Sequence, residues 1–103
     1  MNNNFGINND IYTSILDIFK KDNDIIEVKI FGSRARGDYN KSSDIDLAIK
    51  ISEGGNKLKI IDKLEDIRCI LKFDVIDIDK ISNELLLNNI NRDGIVIYKK
   101  DSD

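Results

Sequence analysis

Two strand-like stretches separated by a polar segment constrain the fold of this chain most. The stretch IIEVKIF, residues 25–31, alternates and is rich in branched apolar residues, and DIDLAIKI, residues 44–51, repeats that pattern. Gly32 follows the first stretch directly, as expected where a strand ends at a tight turn. The sequence therefore predicts two strands, with a turn or a short helix within the polar residues 32–43 between them.

Helical and strand-like patterns alternate along the rest of the chain. Apolar residues at helical spacing predict three helices, over residues 10–21, 60–71 and 79–93, the last of which is ended by Gly94. The stretches KFDVIDI and IVIY predict two further strands. This alternation indicates an α+β fold, an α/β mixed sheet of about four strands with helices packed on it. The pattern alone does not fix the order of the strands.

Length and composition bound the domain organisation and the partners. The 103 residues, 41% of them hydrophobic, fit a single domain over residues 1–103, with residues 1–8 and 100–103 expected to be disordered. A formal net charge of −3 does not concentrate nucleic acid around the molecule, so a nucleic-acid partner is disfavoured. The chain has one cysteine, no membrane-length apolar run and no basic leader, so we expect a cytoplasmic protein without a membrane contact.

Three aspartates occupy positions from which their side chains could converge. Side chains alternate along a strand, so Asp44 and Asp46 share one face while Ile45 points into the core. A neighbouring strand could bring Asp74 beside them, whereas Asp77 should project from the opposite face. Carboxylates this close repel one another unless cations offset their charge. Mg²⁺ prefers such oxygen ligands and leaves coordination positions open for a nucleotide.

The polar segment after the first strand suits the phosphate groups of a nucleotide. Gly32 lets the backbone approach a bulky ligand, and Ser33 opens a turn whose backbone N–H groups can face phosphate oxygens. The segment is not a Walker loop, because Asp38 and Tyr39 follow Gly37 where that motif requires Lys and then Ser or Thr. We therefore expect a triphosphate site that differs from those of P-loop kinases and GTPases.

The spacing of these residues resembles a known signature. GS, ten intervening residues and DID resemble the motif of the DNA polymerase β-like nucleotidyltransferase superfamily. GSRARG, SDIDL and the later KFDVI are similar to the minimal nucleotidyltransferases (MNT), a branch that consists of little more than the catalytic core. The resemblance implies two Mg²⁺ ions and ATP as substrate. It implies catalytic and metal-binding roles for Asp44, Asp46 and Asp74, and nucleotide binding by Gly32, Ser33 and Arg36.

The resemblance also implies a reaction and a partner. Members of this branch act as antitoxins of HEPN/MNT toxin–antitoxin pairs by transferring AMP to a tyrosine of a HEPN-type toxin. For this chain it implies AMPylation of a protein partner within a homo- or hetero-oligomer. A non-catalytic antitoxin that neutralises its partner by binding, and a nucleotidyltransferase that acts on a small molecule, stay open as alternatives.

Two further side chains have more than one interpretation. Arg34 could pair with a surface carboxylate or contact phosphate, and the sequence favours neither. Cys69 is expected to be a small buried apolar residue, because the chain has no histidine that could activate it as a nucleophile.

Overall fold

The computed structural model describes residues 3–67 and 71–101 and contains a four-stranded sheet in this part of the chain. A single 3₁₀ turn, Ile78–Lys80, follows the third strand. The main elements in chain order are α1 (Asn9–Lys20), β1 (Ile25–Phe31), α2 (Gly32–Arg36), β2 (Ile45–Ile51), α3 (Lys57–Glu65), β3 (Phe73–Asp77), α4 (Glu84–Asp93) and β4 (Ile95–Lys99). The predicted α+β class with about four strands is confirmed.

The strand order in the sheet is β3-β2-β1-β4. β1 is antiparallel to both of its neighbours, β2 and β4, whereas β2 and β3 are parallel. A parallel pair requires a crossover connection, which α3 supplies between β2 and β3. Because of these directions, the end of β1 and the starts of β2 and β3 lie at the same end of the sheet.

The two faces of the sheet pack against different helices. Ile45, Leu47 and Ile49 of β2 belong to the larger core, which includes residues of α1 and α3. On the other face, Ala48 packs in a smaller cluster with Phe31 and with Ile90 of α4, which is fully buried. The strict alternation along β2 thus directs odd-numbered side chains to one layer of helices and even-numbered side chains to the other.

The described residues at the start of the chain pack against the domain, while the expected disorder over residues 1–8 and 100–103 stays a prediction. In the described part of this segment, Phe5 and Ile7 are 8% and 5% exposed and belong to the larger core. The Asn3 side-chain oxygen accepts hydrogen bonds from the backbone N–H groups of both residues, at 3.0 and 3.3 Å. These contacts attach the described part of the segment to the larger core. At the other end, the Lys100 backbone N–H donates to the Ile26 carbonyl at 2.8 Å.

The second and third predicted helices differ from those observed. α3 ends at Glu65, earlier than predicted, and Cys69 lies outside the described residues. The helix predicted from residue 79 begins at Glu84, because the Asn83 side chain accepts a hydrogen bond from the Leu86 N–H at 3.2 Å and caps it there.

Gly94 ends α4 as predicted, but its φ of −66° is not left-handed. A Cβ at this position would overlap the carbonyl oxygen of Ile90, so the close passage of the chain explains the glycine. Among the helices of the described residues, none combines the length and the hydropathy required to span a membrane.

Candidate active site

Parallel pairing of β2 and β3 places two aspartates side by side. Asp46 and Asp74 are the second residues of their strands and are directly paired in the register. The Ile45 N–H donates to the Lys72 carbonyl at 2.8 Å and fixes this register where the strands begin. Asp46 lies two positions before Ala48, and Asp74 lies two positions before Ile76, and both of these apolar residues pack in the smaller cluster with Ile90 of α4. The two aspartates therefore lie on the α4 face of the sheet. The structure thus brings Asp74 beside Asp46, as the alternation of the two strands led us to expect.

The electrostatics of Asp46 reflect this arrangement. Burial, followed by repulsion from Asp74 and then from Asp44, raises the pKa of Asp46 from 3.8 to about 6. The positive charges of Arg36 and Arg34 act in the opposite direction but do not cancel the rise. A carboxyl group whose ionisation is opposed by two neighbouring carboxylates has the electrostatic character of a cation site.

The carboxylates do not form a complete protein cage for a metal. Within residues 3–67 and 71–101, no group of three carboxylate, imidazole or thiol side chains is arranged to hold a metal ion. Asp44 and Asp74 are exposed, and only Asp46 is half-buried. The donor chemistry nevertheless fits Mg²⁺, which is usually bound through one or two carboxylates together with substrate phosphates and water. The three-aspartate ligand set therefore stays a prediction.

Gly32 lies directly against the Asp46 carboxyl group. Because β1 is antiparallel to β2, Phe31 at the end of β1 pairs with Asp46, and the chain turns into α2 at that point. Gly32 has a φ of +74°, and a Cβ there would overlap Asp46 Oδ2. The glycine is thus required both by its left-handed backbone and by the space that the carboxylate occupies.

The start of α2 offers backbone donors next to the carboxylates. Phe31, which precedes this helix, makes no side-chain hydrogen bond to its first N–H groups. Ser33 is half-buried in the first turn, and its carbonyl accepts a hydrogen bond from Gly37 N at 2.8 Å, which ends the helix. The uncapped turn therefore has N–H groups that could face an anionic ligand.

Arg36, at the end of α2, connects this region to α4. Its guanidinium lies 3.3 Å from Asp38 Oδ2 and 3.6 Å from Asp93 Oδ2, and its side chain is 43% exposed. The positive charge of Arg36 partly offsets the rise in the pKa of Asp46, so Arg36 interacts electrostatically with the carboxylate cluster. The expected phosphate contact stays a prediction, and the ion pair with Asp93, the last residue of α4, shows that Arg36 joins α2 to α4.

Residues 13–103 match the family model described as Polymerase beta, Nucleotidyltransferase. The match includes the stretches GSRARG, SDIDL and KFDVI and nearly the whole chain. The chain belongs to this nucleotidyltransferase family. No curated protein matches the sequence significantly.

Several solved structures share the fold of this chain. A toxin-antitoxin solved with AMP-PNP is 18% identical, with a TM-score of 0.68 over 91% of this chain and 75% of that one. A mutant of the MntA-HpeT toxin-antitoxin is 14% identical, with a TM-score of 0.65 and the same coverage. A protein from Sulfolobus solfataricus, proposed to be a nucleotidyltransferase, is 26% identical, with a TM-score of 0.56 over 88% of this chain and 79% of that one. The toxin-antitoxin likenesses establish the shared fold.

Arg34 has a place in this nucleotidyltransferase domain that the sequence did not indicate. It was expected either at a surface carboxylate or at phosphate, but it is 1% exposed and donates to backbone carbonyls, among them those of Phe5 at 2.8 Å and Ser43 at 2.9 Å. Neither of the two contacts left open by the sequence fits a side chain this buried, because the N-terminal segment and the loop before β2 supply its hydrogen-bond acceptors. The sequence signal that could have indicated this burial is the pair of apolar residues at positions 5 and 7.

Asp77, the weaker rival of Asp74 in the sequence, is a turn residue in the nucleotidyltransferase domain. Its side chain accepts a hydrogen bond from the Asp79 N–H at 3.0 Å and begins the 3₁₀ turn. Lys80 lies 4.0 Å from the same carboxyl group. These local contacts account for Asp77 without a role in the carboxylate cluster.

Proposed function

We propose that this nucleotidyltransferase transfers AMP from ATP, in the presence of Mg²⁺, to a hydroxyl group of a partner protein, a tyrosine of a HEPN-type toxin. The observation that carries the proposal is the pairing of Asp46 with Asp74 beside Gly32, at the end of the sheet where the uncapped turn of α2 begins. A carboxylate cluster next to free backbone donors suits a metal-bound triphosphate better than an uncharged ligand.

The residues present suggest a division of roles. Asp44 and Asp46 would hold the metal ions, with Asp74 as the third carboxylate. When bound, Mg²⁺ would supply charge stabilisation at the α-phosphate and help to orient the leaving group. The backbone N–H groups of Gly32 and Ser33 would bind the phosphate chain, and Arg36 would add a positive charge at its edge.

In the proposed reaction, the oxygen of the acceptor hydroxyl forms a bond to the α-phosphorus of ATP while the bond to the β-phosphate bridging oxygen breaks. Pyrophosphate leaves, and the hydroxyl proton passes to Asp74, which is exposed and can therefore reach an incoming acceptor. Most of the rate enhancement would come from holding the reactants in line and from charge stabilisation.

The toxin as acceptor is supported by likeness of fold. Two of the similar structures are of toxin-antitoxin proteins, one of them solved with AMP-PNP, an analogue of ATP. The exposure of Asp44 and Asp74 adds a physical argument, since an acceptor as large as a protein needs an open site. We infer that the partner completes the acceptor side of the site and that the two proteins form a complex.

The test is a labelling experiment with the protein encoded by the neighbouring reading frame. That protein, ATP labelled at the α-phosphate and Mg²⁺ are incubated with the wild-type chain, with Asp44→Ala and with Asp46→Ala. Asp77→Asn is the matched control, because asparagine keeps the side-chain acceptor that caps the 3₁₀ turn. We expect label on the partner with the wild type and the control, and none with either cluster variant.

Two results would contradict parts of the proposal. Full labelling by Asp44→Ala or Asp46→Ala would refute the assigned metal ligands. Protection of cells from the toxin by both variants, without label on the toxin, would instead support neutralisation by binding alone.

A further inference from the structure

The side chain of Arg34 joins three parts of the chain around the candidate site. It follows Gly32 and Ser33 in α2, and its guanidinium is almost completely buried, with 1% exposure. Its Nε and Nη2 atoms both donate to the Ser43 carbonyl, at 3.0 and 2.9 Å. Its Nη1 atom donates to the carbonyls of Phe5 and Gly6, at 2.8 and 3.2 Å. One side chain therefore connects α2, the N-terminal segment and the loop before β2.

The loop that Arg34 holds leads directly to Asp44. Within this loop the Asn40 N–H donates to Ser43 Oγ at 2.9 Å, and the Asn40 side chain accepts from the Ser42 N–H at 2.9 Å. These local hydrogen bonds shape the turn but do not attach it to the rest of the protein. The hydrogen bonds of Arg34 attach the loop at Ser43, one residue before the carboxylate, and at the Lys41 carbonyl at 3.5 Å. The Tyr39 ring adds a contact with Gly6 of the N-terminal segment.

The environment of Arg34 is unusual for a residue that serves stability alone. Its described hydrogen-bond acceptors are backbone carbonyls, and its guanidinium carbon lies 5.1 Å from the centre of the Tyr39 ring. Burial of a charged side chain without a charged partner costs desolvation free energy, so we attribute the role of Arg34 to the conformation that its hydrogen bonds select. The planar fork of arginine can bind one carbonyl through two donors, which lysine cannot do.

We propose that Arg34 is a positioning residue: it fixes the backbone at Ser43, and so sets where the Asp44 side chain stands relative to the phosphate-binding turn of α2. The inference rests on the proposed function, in which Asp44 binds metal and Ser33 binds phosphate. Because Arg34 follows Ser33 directly in α2 and donates to the Ser43 carbonyl, it connects the phosphate-binding turn to the residue before Asp44.

Two measurements on the purified chain test this role. The first is hydrogen–deuterium exchange of the backbone amides of residues 40–44 without metal, and the second is Mn²⁺ affinity, measured by electron paramagnetic resonance. Arg34→Lys is compared with Arg92→Lys, the same change at an arginine whose side chain is 67% exposed. We expect faster exchange and about 10- to 100-fold weaker Mn²⁺ binding for Arg34→Lys, as for partners that orient metal ligands in general. The control should match the wild type.

A double-mutant cycle separates positioning from general loosening of the fold. In an Asp44→Asn background, Arg34→Lys should weaken Mn²⁺ binding no further, because the carboxylate that Arg34 places is already absent. A full additional loss in that background would overturn the inference, as would wild-type exchange and affinity in folded Arg34→Lys. If the wild type itself binds no Mn²⁺, the proposed function fails, whereas the exchange measurement still decides whether Arg34 holds the loop.

A second variant covers the case in which Arg34→Lys does not fold. Arg34→Gln is neutral, so it buries no charge, and it keeps a side-chain N–H donor but lacks the fork that binds the Ser43 carbonyl through two donors. We expect it to increase exchange over residues 40–44 and to weaken Mn²⁺ binding. Wild-type values in both measurements would overturn the inference.

Discussion

Replacement of Asp46 by asparagine should stabilise the metal-free protein at neutral pH while it abolishes nucleotide transfer. Burial and repulsion from Asp74 and Asp44 raise the pKa of Asp46 from 3.8 to about 6. At about 1.4 kcal/mol for each pKa unit, this rise corresponds to an upper limit of about 3 kcal/mol. Because Asp46 is only half-buried, solvent screening reduces the expected gain to about 1–2 kcal/mol. Asparagine has nearly the same shape, so packing should change little.

The gain should depend on pH with a definite sign. The folded protein keeps the Asp46 proton up to about pH 6, whereas an ordinary aspartate releases it near 3.8. Between these values the folded state binds more protons than the unfolded state, so ionisation of Asp46 destabilises the fold as the pH rises. The stability difference between Asp46→Asn and the wild type should therefore be small below about pH 4, increase up to about pH 6 and then level off.

The assay is urea denaturation at a series of pH values in the presence of EDTA. Asp62→Asn is the matched control, since it removes one carboxyl group from an exposed position of α3. When Mg²⁺ replaces EDTA, the stability difference between Asp46→Asn and the wild type at pH 8 should decrease, because a ligand that binds only the folded wild type stabilises it. A difference that does not vary with pH, or an Asp46→Asn protein less stable than the wild type at pH 8, would refute this account of the cluster.

Three other substitutions test the surroundings of the site and the fold. Gly32→Ala should lower stability and nucleotide transfer more than Gly37→Ala, because both glycines have positive φ but only Gly32 lies against Asp46. Denaturation measures the loss of stability and labelling measures the loss of transfer. Equal losses for the two variants would argue against the contact between Gly32 and Asp46. Phe5→Ala should cost about 2–4 kcal/mol in the free energy of unfolding, and no loss would mean that the segment does not pack as described. Asn83→Ala should cost about 1 kcal/mol through loss of the helix cap, whereas Ser82→Ala should not; thermal denaturation distinguishes them.

Local pattern accounts for the parts of the structure that the sequence predicted well. β1 has the predicted bounds, and β2 begins one residue later than the predicted stretch, because alternation and branched side chains act over a few neighbouring residues. The shared face of Asp46 and Asp74 follows from the same alternation once the two strands are neighbours. The sequence did not determine that neighbourhood, since the order of strands depends on the packing of α3 and α4 on the sheet.

The predictions failed where distant residues or competing caps decide the structure. The burial of Arg34 depends on a hydrogen bond to Phe5, 29 residues away in the sequence, and no local pattern contains that information. The start of α4 depends on a choice between two capping side chains, Asp77 and Asn83. Asp77 supports only a single 3₁₀ turn, so the long helix begins at the second cap.

The asymmetry of the sheet explains how so small a domain can hold a repulsive carboxylate cluster. In the described residues, the larger core contains fifteen buried residues on the α1 and α3 side, whereas the α4 side has three. Burial of apolar area provides most of the stability, so the α1 and α3 side of the sheet stabilises the fold more than the α4 side does. The second face can then leave Asp46 half-buried and Asp74 exposed at its end. Substitutions in the larger core should therefore lower stability without changing metal affinity in the protein that remains folded, whereas substitutions in the cluster should lower metal affinity without lowering the stability of the metal-free protein.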